Sequence, residues 1–226
     1  MLLQLIRNGF SISALVSVLV SVPVILFSLS FHEMSHAIAA NSLGDPTAKH
    51  MGRITLNPLR HLDLVGTLLM FLVGIGWAKP VPVNPGNFRK PKHGMALTSL
   101  AGPLSNLLLA FVSDVLAHLM MLIPAAPSDW YYYPVIIVYL LFDVSTILNV
   151  GLAVFNMLPI PPFDGSRVLF AFLPDSAYFG VMKYERIIKY VLIALLWVGV
   201  FDVPLAFLRN GILSGFDYLI ELVIKV

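Results

Sequence analysis

Within an apolar run from Phe10 to about Leu43, the chain reads Phe31-His32-Glu33-Met34-Ser35-His36. A helix that crosses the hydrocarbon core of a bilayer needs roughly 20 mostly apolar residues. This run is longer than that, is interrupted only by Pro23 and the histidine cluster, and is closed by the turn residues Gly44-Asp45-Pro46. The pattern predicts one tilted or kinked membrane span that contains two histidines and a glutamate.

The composition of the whole chain is typical of a membrane protein. Of its 226 residues, 58% are hydrophobic and 12% are charged, with a mean hydropathy of +0.88, whereas a soluble domain carries roughly 25% charged residues. The net charge is only +2, and the Lys and Arg residues lie in loops, which indicates membrane topology rather than nucleic-acid binding. Since the chain has no cysteine, any metal must be held by His, Asp or Glu.

The apolar segments predict an all-α fold, a polytopic transmembrane helical bundle with about five full spans. We expect the spans at 10–43, 95–123, 134–158, 178–201 and 205–224. The N-terminal run lacks the pattern of a cleaved signal peptide, so it is expected to remain as a helix. The bundle leaves no room for a large soluble domain, so residues 1–226 are expected to form a single membrane-embedded domain.

A shorter apolar segment, Leu62–Ala78, is of marginal length for a span, and the loop charges bear on its path. Loops 44–61 and 79–93 are both basic, whereas loop 124–133 has Asp129 and no Lys or Arg. Because cytoplasmic loops are enriched in Lys and Arg, both basic loops are best placed in the cytoplasm, with Leu62–Ala78 as a re-entrant or half-span segment. The N-terminus is then outside the cell membrane. A full crossing by Leu62–Ala78 is the alternative.

His32 and His36 are four residues apart, so on a helix both imidazoles lie on one face and can reach one Zn²⁺. Glu33 beside them can take a proton from water at the metal. Nine residues separate His32 from Asn41, which places the pair roughly 14 Å along the helix at 1.5 Å per residue. Ionisable groups at that depth are costly and usually functional. The motif therefore predicts a catalytic metal site rather than a polar helix end.

A catalytic zinc generally has three protein ligands, so the chain must supply one more. The best candidate is Asp164, because prolines end the preceding span and Gly165 lets the chain turn. Taken alone, however, an Asp-Gly pair at a membrane surface is more often an ordinary turn.

Together these residues resemble the site-2 protease family of intramembrane zinc metalloproteases, in a small form without an evident soluble accessory domain. The resemblance rests on the HExxH helix, on the segment Asn-x-x-Pro-x-x-x-x-Asp-Gly from Asn156 to Gly165, and on Ala101-Gly102-Pro103-Leu104-Ser105-Asn106 between them. Order, spacing and hydropathy agree over about residues 22–175, the expected catalytic core, which leaves 178–226 as C-terminal helices. Phe163 and Ser166 depart from the commoner Leu and Gly, but neither supplies a ligand atom.

The resemblance implies that His32, His36 and Asp164 bind one catalytic Zn²⁺ and that Glu33 is the catalytic base. It also implies that Asn156, and with it Asn106, are candidates for substrate binding. Gly102 and Asn106 would belong to a packed core helix, and short strands would lie near residues 74–83.

The activity implied by the resemblance is hydrolysis of peptide bonds in or near transmembrane segments of membrane-protein substrates, as in regulated intramembrane proteolysis. The site would face the cytoplasmic side of the cell membrane, where water can enter. The partners expected are the substrate and the lipid bilayer, with no nucleic acid. A homo-oligomer is possible, and the sequence does not identify the substrate.

Two other functions compete with this one. A transporter could pass a metal ion or a proton along the same His and Asp residues, and an inactive scaffold could bind membrane helices. Glu33 argues against both, since neither needs a carboxylate between two imidazoles, and no repeated halves are evident. Asp114, His118 and Asp143 lie in the spans about 12 Å further toward the outer face. There we expect a structural polar group rather than a second metal site or a proton path.

Overall fold

The structure, a computed structural model, describes residues 12–73, 76–174, 180–181 and 183–224. These residues are mostly helical and contain no β-strand, which confirms the all-α prediction. In chain order the helices with defined bounds are α1 (Ile12–Ser42), α2 (Thr47–His50), α3 (Leu64–Val73), α4 (Pro91–Met121), α5 (Tyr132–Asn156), α6 (Asp164–Phe170), α7 (Glu185–Trp197) and α8 (Asp202–Ile224). Short 3₁₀ turns lie at Pro58–Arg60 and Pro85–Asn87.

Among the described residues, three helices are long and apolar enough to cross a membrane on their own, namely α1, α4 and α5. α7 and α8 meet at an 80° bend and count together as one further, broken span at most. The expectation of about five full spans is therefore not supported. The 13 residues of α7 rise only roughly 20 Å, short of the ~30 Å hydrocarbon core, and α8 carries charges along its length. Part of the expected span 178–201 lies outside the described residues.

The helices α1, α4 and α5 pack against one another and form the bundle that positions the candidate site. Small residues dominate the buried face of α4 and let helix backbones approach closely in a membrane; they include Gly94, Thr98, Ser99, Gly102, Ser105, Ala110 and Ser113. α8 packs on the same bundle through Phe216, which lies against a buried cluster of Ala110, Val150 and Val154.

The segment Leu62–Ala78 is a hairpin whose two ends lie side by side. Leu62 and Ala78 form an isolated antiparallel bridge, and the N–H of Lys79 donates to the carbonyl oxygen of His61 at 2.7 Å. α3 forms one arm, and its ten residues rise only roughly 15 Å. A segment that returns to its starting point does not cross the bilayer, so this geometry favours the re-entrant or half-span interpretation.

The short strands expected near 74–83 are not found in the described part of that segment, where residues 76–83 make only the single bridge at Ala78. Residues 74 and 75 lie outside the described residues. Prolines without an N–H interrupt the segment, and side chains take other backbone groups that a strand would share. Arg53 donates to the carbonyl oxygens of Lys79 and Pro80, and Glu33 accepts from the N–H of Val81.

Candidate metal centre

The three side chains predicted as metal ligands converge on one point. His32 and His36 lie one turn apart on α1, and Asp164 is the first residue of α6. The Nε2 atoms of the two imidazoles are 2.9 Å apart, and Asp164 Oδ2 lies 3.2 Å from His32 Nε2 and 3.3 Å from His36 Nε2. Within the described parts of the chain, no other group of three His, Asp or Glu side chains converges in this way.

The local sequence explains how Asp164 reaches α1. α5 ends at Asn156, and three prolines between Asn156 and Asp164 prevent that helix from continuing. The chain then folds back so closely that a Cβ at Gly165 would lie 2.2 Å from the carbonyl oxygen of Met157. Only glycine permits this approach, so the residue after the aspartate is what allows the carboxylate to face the histidines.

The second ring nitrogen of each histidine is held by a carbonyl oxygen. His36 Nδ1 lies 2.7 Å from the backbone carbonyl oxygen of Thr98, and His32 Nδ1 lies 3.0 Å from Asn106 Oδ1. Because a carbonyl oxygen can only accept, each Nδ1 carries the proton and donates it. Donation from Nδ1 leaves each Nε2 facing Asp164, where a neutral imidazole presents the lone pair that metal coordination requires.

This donor set fits a zinc ion. With ligand distances of about 2.0–2.1 Å, neighbouring ligand atoms around a tetrahedral zinc are about 3.3 Å apart, and the three distances here are 2.9, 3.2 and 3.3 Å. With both imidazoles neutral, all three facing atoms carry lone pairs that a cation between them can accept. Three protein ligands also leave a fourth position open, which distinguishes catalytic zinc sites from structural ones.

Gly102 of α4 lies against both imidazoles. A Cβ at this position would lie 2.4 Å from His36 Cε1 and 2.5 Å from His32 Cε1. Any larger residue would displace the histidines, so Gly102 belongs to the site. From the sequence, Gly102 was recognisable only as a helix-packing residue, because its contact with the imidazoles depends on how α1 and α4 meet.

Glu33 is buried beside the two histidines, with 9% of its surface exposed. Its Oε2 accepts a hydrogen bond from the N–H of Val81 at 2.9 Å. The segment that follows the hairpin therefore lies directly on the glutamate. No pattern in the sequence pairs Val81 with Glu33, since 48 residues separate them.

The two asparagines predicted as substrate contacts lie in different surroundings. Asn106 is fully buried behind His32, where its Oδ1 faces the imidazole. Asn156 is half-buried at the end of α5, and its Nδ2 donates to the carbonyl oxygen of Leu152 in the same helix at 3.0 Å. The structure therefore brings Asn106, but not Asn156, into contact with the converging side chains.

The polar residues toward the other end of the spans form a separate group. His118 Nδ1 lies 3.0 Å from the carbonyl oxygen of Asp114 and 3.7 Å from its Oδ1. Next to this pair, Ser113 and Ser145 are hydrogen-bonded across α4 and α5 at 2.8 Å. Contacts of this kind join helices in a membrane, which agrees with the structural interpretation of the group.

Three relatives and one protein family match this chain. The sequence model of peptidase family M50 matches residues 125–199. YwhC of Bacillus subtilis is 43% identical over 157 residues, which cover 67% of this chain and 68% of that protein. Rip2 of Mycolicibacterium smegmatis is 34% identical over 149 residues, covering 64% of this chain and 53% of that protein. MJ0611 of Methanocaldococcus jannaschii is 33% identical over 143 residues, covering 62% of this chain and 63% of that protein.

All three relatives are named, provisionally, as zinc metalloproteases. No solved structure gives a significant match. The family model includes Asp164 and the turn around it but not the histidines of α1, so the match to YwhC, which spans 67% of this chain, carries the assignment. At that identity and coverage, the protein belongs to peptidase family M50, the site-2 protease family.

Proposed function

We propose that the protein is an intramembrane zinc metalloprotease that hydrolyses peptide bonds in or near the transmembrane segments of membrane-protein substrates. The observation that carries the proposal is the convergence of His32 Nε2, His36 Nε2 and Asp164 Oδ2, two of them on α1, a helix apolar enough to cross a bilayer. Membership of peptidase family M50 and the names of the relatives support peptide hydrolysis and zinc.

In this proposal His32, His36 and Asp164 hold one zinc ion through the three facing atoms. Thr98 and Asn106 fix the two imidazoles through their Nδ1 atoms. When bound, zinc supplies a Lewis acid that activates water and polarises the scissile carbonyl. The chain's own contribution is a site in which the donor atoms already stand at nearly the required spacing, so little has to move when the metal binds.

Glu33 is the general base of the proposed reaction. The N–H of Val81 occupies Oε2, which leaves Oε1 to accept a proton from the attacking water and to deliver it later to the departing amine. Glu33 directly follows the proposed metal ligand His32 on α1, so the same helix holds both the base and the metal. A rigid helix suits this task because small displacements of a catalytic group are costly.

We place the active site toward the cytoplasmic side of the cell membrane. His36 is six residues from the end of α1 at Ser42, or roughly 9 Å by helical rise, and the chain that follows that end is basic. The loop between α4 and α5 has no Lys or Arg. The bias of Lys and Arg toward cytoplasmic loops supports this orientation.

A substrate helix must open locally before one of its peptide bonds can react, because a helical peptide bond is hydrogen-bonded and shielded by side chains. Val81, which follows the hairpin, is hydrogen-bonded to Glu33 at 2.9 Å, so we place the reacting peptide bond of an opened substrate beside this contact. Asn156 stays our candidate for substrate contact, while the burial of Asn106 behind His32 favours a role in orienting that ligand.

The test compares wild type with Glu33→Gln and with Glu221→Gln, a matched control on the exposed face of α8. We expect about one zinc per chain in each protein by elemental analysis. Wild type and control should generate new amino termini inside transmembrane segments of the host's membrane proteins, and Glu33→Gln should not. Identical amino termini in wild-type and Glu33→Gln membranes would refute the proposal. Zinc flux into proteoliposomes that survives Glu33→Gln would point to a transporter.

A further inference from the structure

Arg53 is 4% exposed, which is rare for an arginine. It follows α2 in a tight turn where Gly52 has a φ of +66°. Its guanidinium donates to three backbone carbonyl oxygens, those of Arg60, Lys79 and Pro80, the last two at 2.6 Å. It forms no direct ion pair with a described carboxylate. A buried guanidinium used in this way holds backbone in place through charge-assisted hydrogen bonds.

One of these carbonyl groups belongs to the peptide that also contacts Glu33. The oxygen of Pro80 accepts from Arg53, and the N–H of the same peptide, which is that of Val81, donates to Glu33 Oε2 at 2.9 Å. Arg53 also interacts electrostatically with Glu33. Hydrogen bonds in series across one peptide polarise it, so each bond strengthens the other. A cation and the carboxylate are thus linked through a single peptide group.

The surrounding sequence leaves Val81 as the donor at this place. Pro80 and Pro82 have no N–H, so Val81 supplies the only one in this run of three residues. Further along, the N–H of Asn84 donates to Asp45 Oδ2 at 2.7 Å, which fixes the far end of the segment. The peptide is therefore held against Glu33 by side chains rather than by a strand.

We propose that Arg53 is a positioning residue of the reaction, which holds the carboxylate of Glu33 in its working orientation through the Pro80–Val81 peptide. The inference rests on the proposed function, in which Glu33 is the general base. Without the guanidinium the peptide is released, the N–H of Val81 leaves Oε2, and the carboxylate turns about its own torsions. Zinc binding does not change, because the three ligands have their own supports.

Two substitutions remove this contact from opposite sides. Arg53→Met removes the guanidinium and keeps an unbranched side chain, whereas Val81→Pro removes the N–H and leaves Arg53 intact. Arg89→Met is the matched control for charge at an exposed position. Val83→Pro is the control for proline, since its N–H makes no hydrogen bond to a described residue. Arg53→Lys keeps the charge and tests conservative rescue.

The first measurement is the carboxylate band of Glu33, obtained as the infrared difference between each protein and the same protein with Glu33→Gln. We expect Arg53→Met and Val81→Pro to shift this band alike while zinc content is unchanged. The second is the rate at which new amino termini form in host membrane proteins. We expect Arg53→Met and Val81→Pro each to lower this rate about 10²-fold, the cost of moving a catalytic group by about 1 Å. Arg53→Lys should keep part of the wild-type rate that Arg53→Met loses. The double variant, Arg53→Met with Val81→Pro, should be no slower than either single variant, because both changes remove the same contact.

The inference is overturned if either variant keeps the wild-type band or the wild-type rate. It is also overturned if Val83→Pro or Arg89→Met has the same effect, because loop disruption or loss of charge would then explain the result. If Glu33→Gln itself leaves cleavage unchanged, the proposed function fails. In that case the infrared band still decides whether Arg53 holds Glu33.

Discussion

His32 Nδ1 lies 3.0 Å from Asn106 Oδ1 across the contact between α1 and α4, and both residues are buried. The bond sets which ring nitrogen of His32 faces the metal position. Because partners of this kind orient a ligand, we predict that Asn106→Leu lowers zinc affinity by about 10- to 100-fold. Asn106→Asp keeps an acceptor oxygen and should retain most of the affinity. Competition with a zinc chelator measures both, and equal affinity of wild type and Asn106→Leu would contradict the prediction.

Gly102→Ala should weaken zinc binding without unfolding the protein. The added methyl group would lie 2.4–2.5 Å from ring atoms of His32 and His36, so the imidazoles must move apart. Alanine favours a helix over glycine by roughly 1 kcal/mol, so α4 itself is not weakened. The matched control is Gly151→Ala in α5, where a Cβ meets nothing within 4 Å. We expect elemental analysis to show zinc loss for Gly102→Ala alone, and normal zinc content there would show that the imidazoles do not depend on this glycine.

Asp164→Asn should remove most of the bound zinc, because the carboxylate is the only anionic member of the converging group. The amide keeps a similar shape but lacks the charge, so we expect a loss of affinity of at least on the order of 100-fold. Asp217→Asn on the exposed face of α8 is the matched control. The same chelator titration reports the result. An Asp164→Asn protein that holds zinc as tightly as the control would require another third ligand.

Asp45 should stabilise the fold in a way that is lost in acid. Burial alone would raise its pKa, but hydrogen bonds from Thr47, Asn87 and the N–H of Asn84 outweigh that effect and hold the pKa of Asp45 below its ordinary value of 3.8. A carboxyl group whose pKa is lower in the folded state than in the unfolded state stabilises the fold above the unfolded pKa, about 3.9. That stabilisation disappears as the pH falls toward the lower, folded value.

We therefore predict that Asp45→Asn destabilises the protein by about 1–3 kcal/mol at neutral pH. The difference in thermal midpoint from wild type should be constant between about pH 8 and pH 5 and should shrink below about pH 4. Thermal unfolding in detergent micelles over this range provides the measurement, with Asp217→Asn as the surface control. A difference in thermal midpoint that grows as the pH falls below about 4 would contradict the lowered pKa of Asp45.

Several features followed from the sequence because they depend on neighbours along the chain. The spacing of His32 and His36 places both imidazoles on one face of any helix, and hydrocarbon thickness sets the lengths of α1, α4 and α5. The charges of the loops predicted a re-entrant or half-span path for Leu62–Ala78, and the bridge between the two ends of this segment favours that path. The prediction of about five full spans was not supported, because hydropathy does not register the 80° bend between α7 and α8.

The sequence by itself determined an all-α membrane protein with a pair of histidines and a glutamate inside one span. Tertiary structure alone decided which distant groups meet them. Three contacts show this: Gly102 with the two imidazoles, Asn106 with His32, and Val81 with Glu33. Each joins residues that are 48 to 74 positions apart in the sequence. The physical reason is that buried polar groups in a bilayer must find partners within the protein. The composition shows that these polar groups need partners, but which residues become the partners depends on how the helices pack.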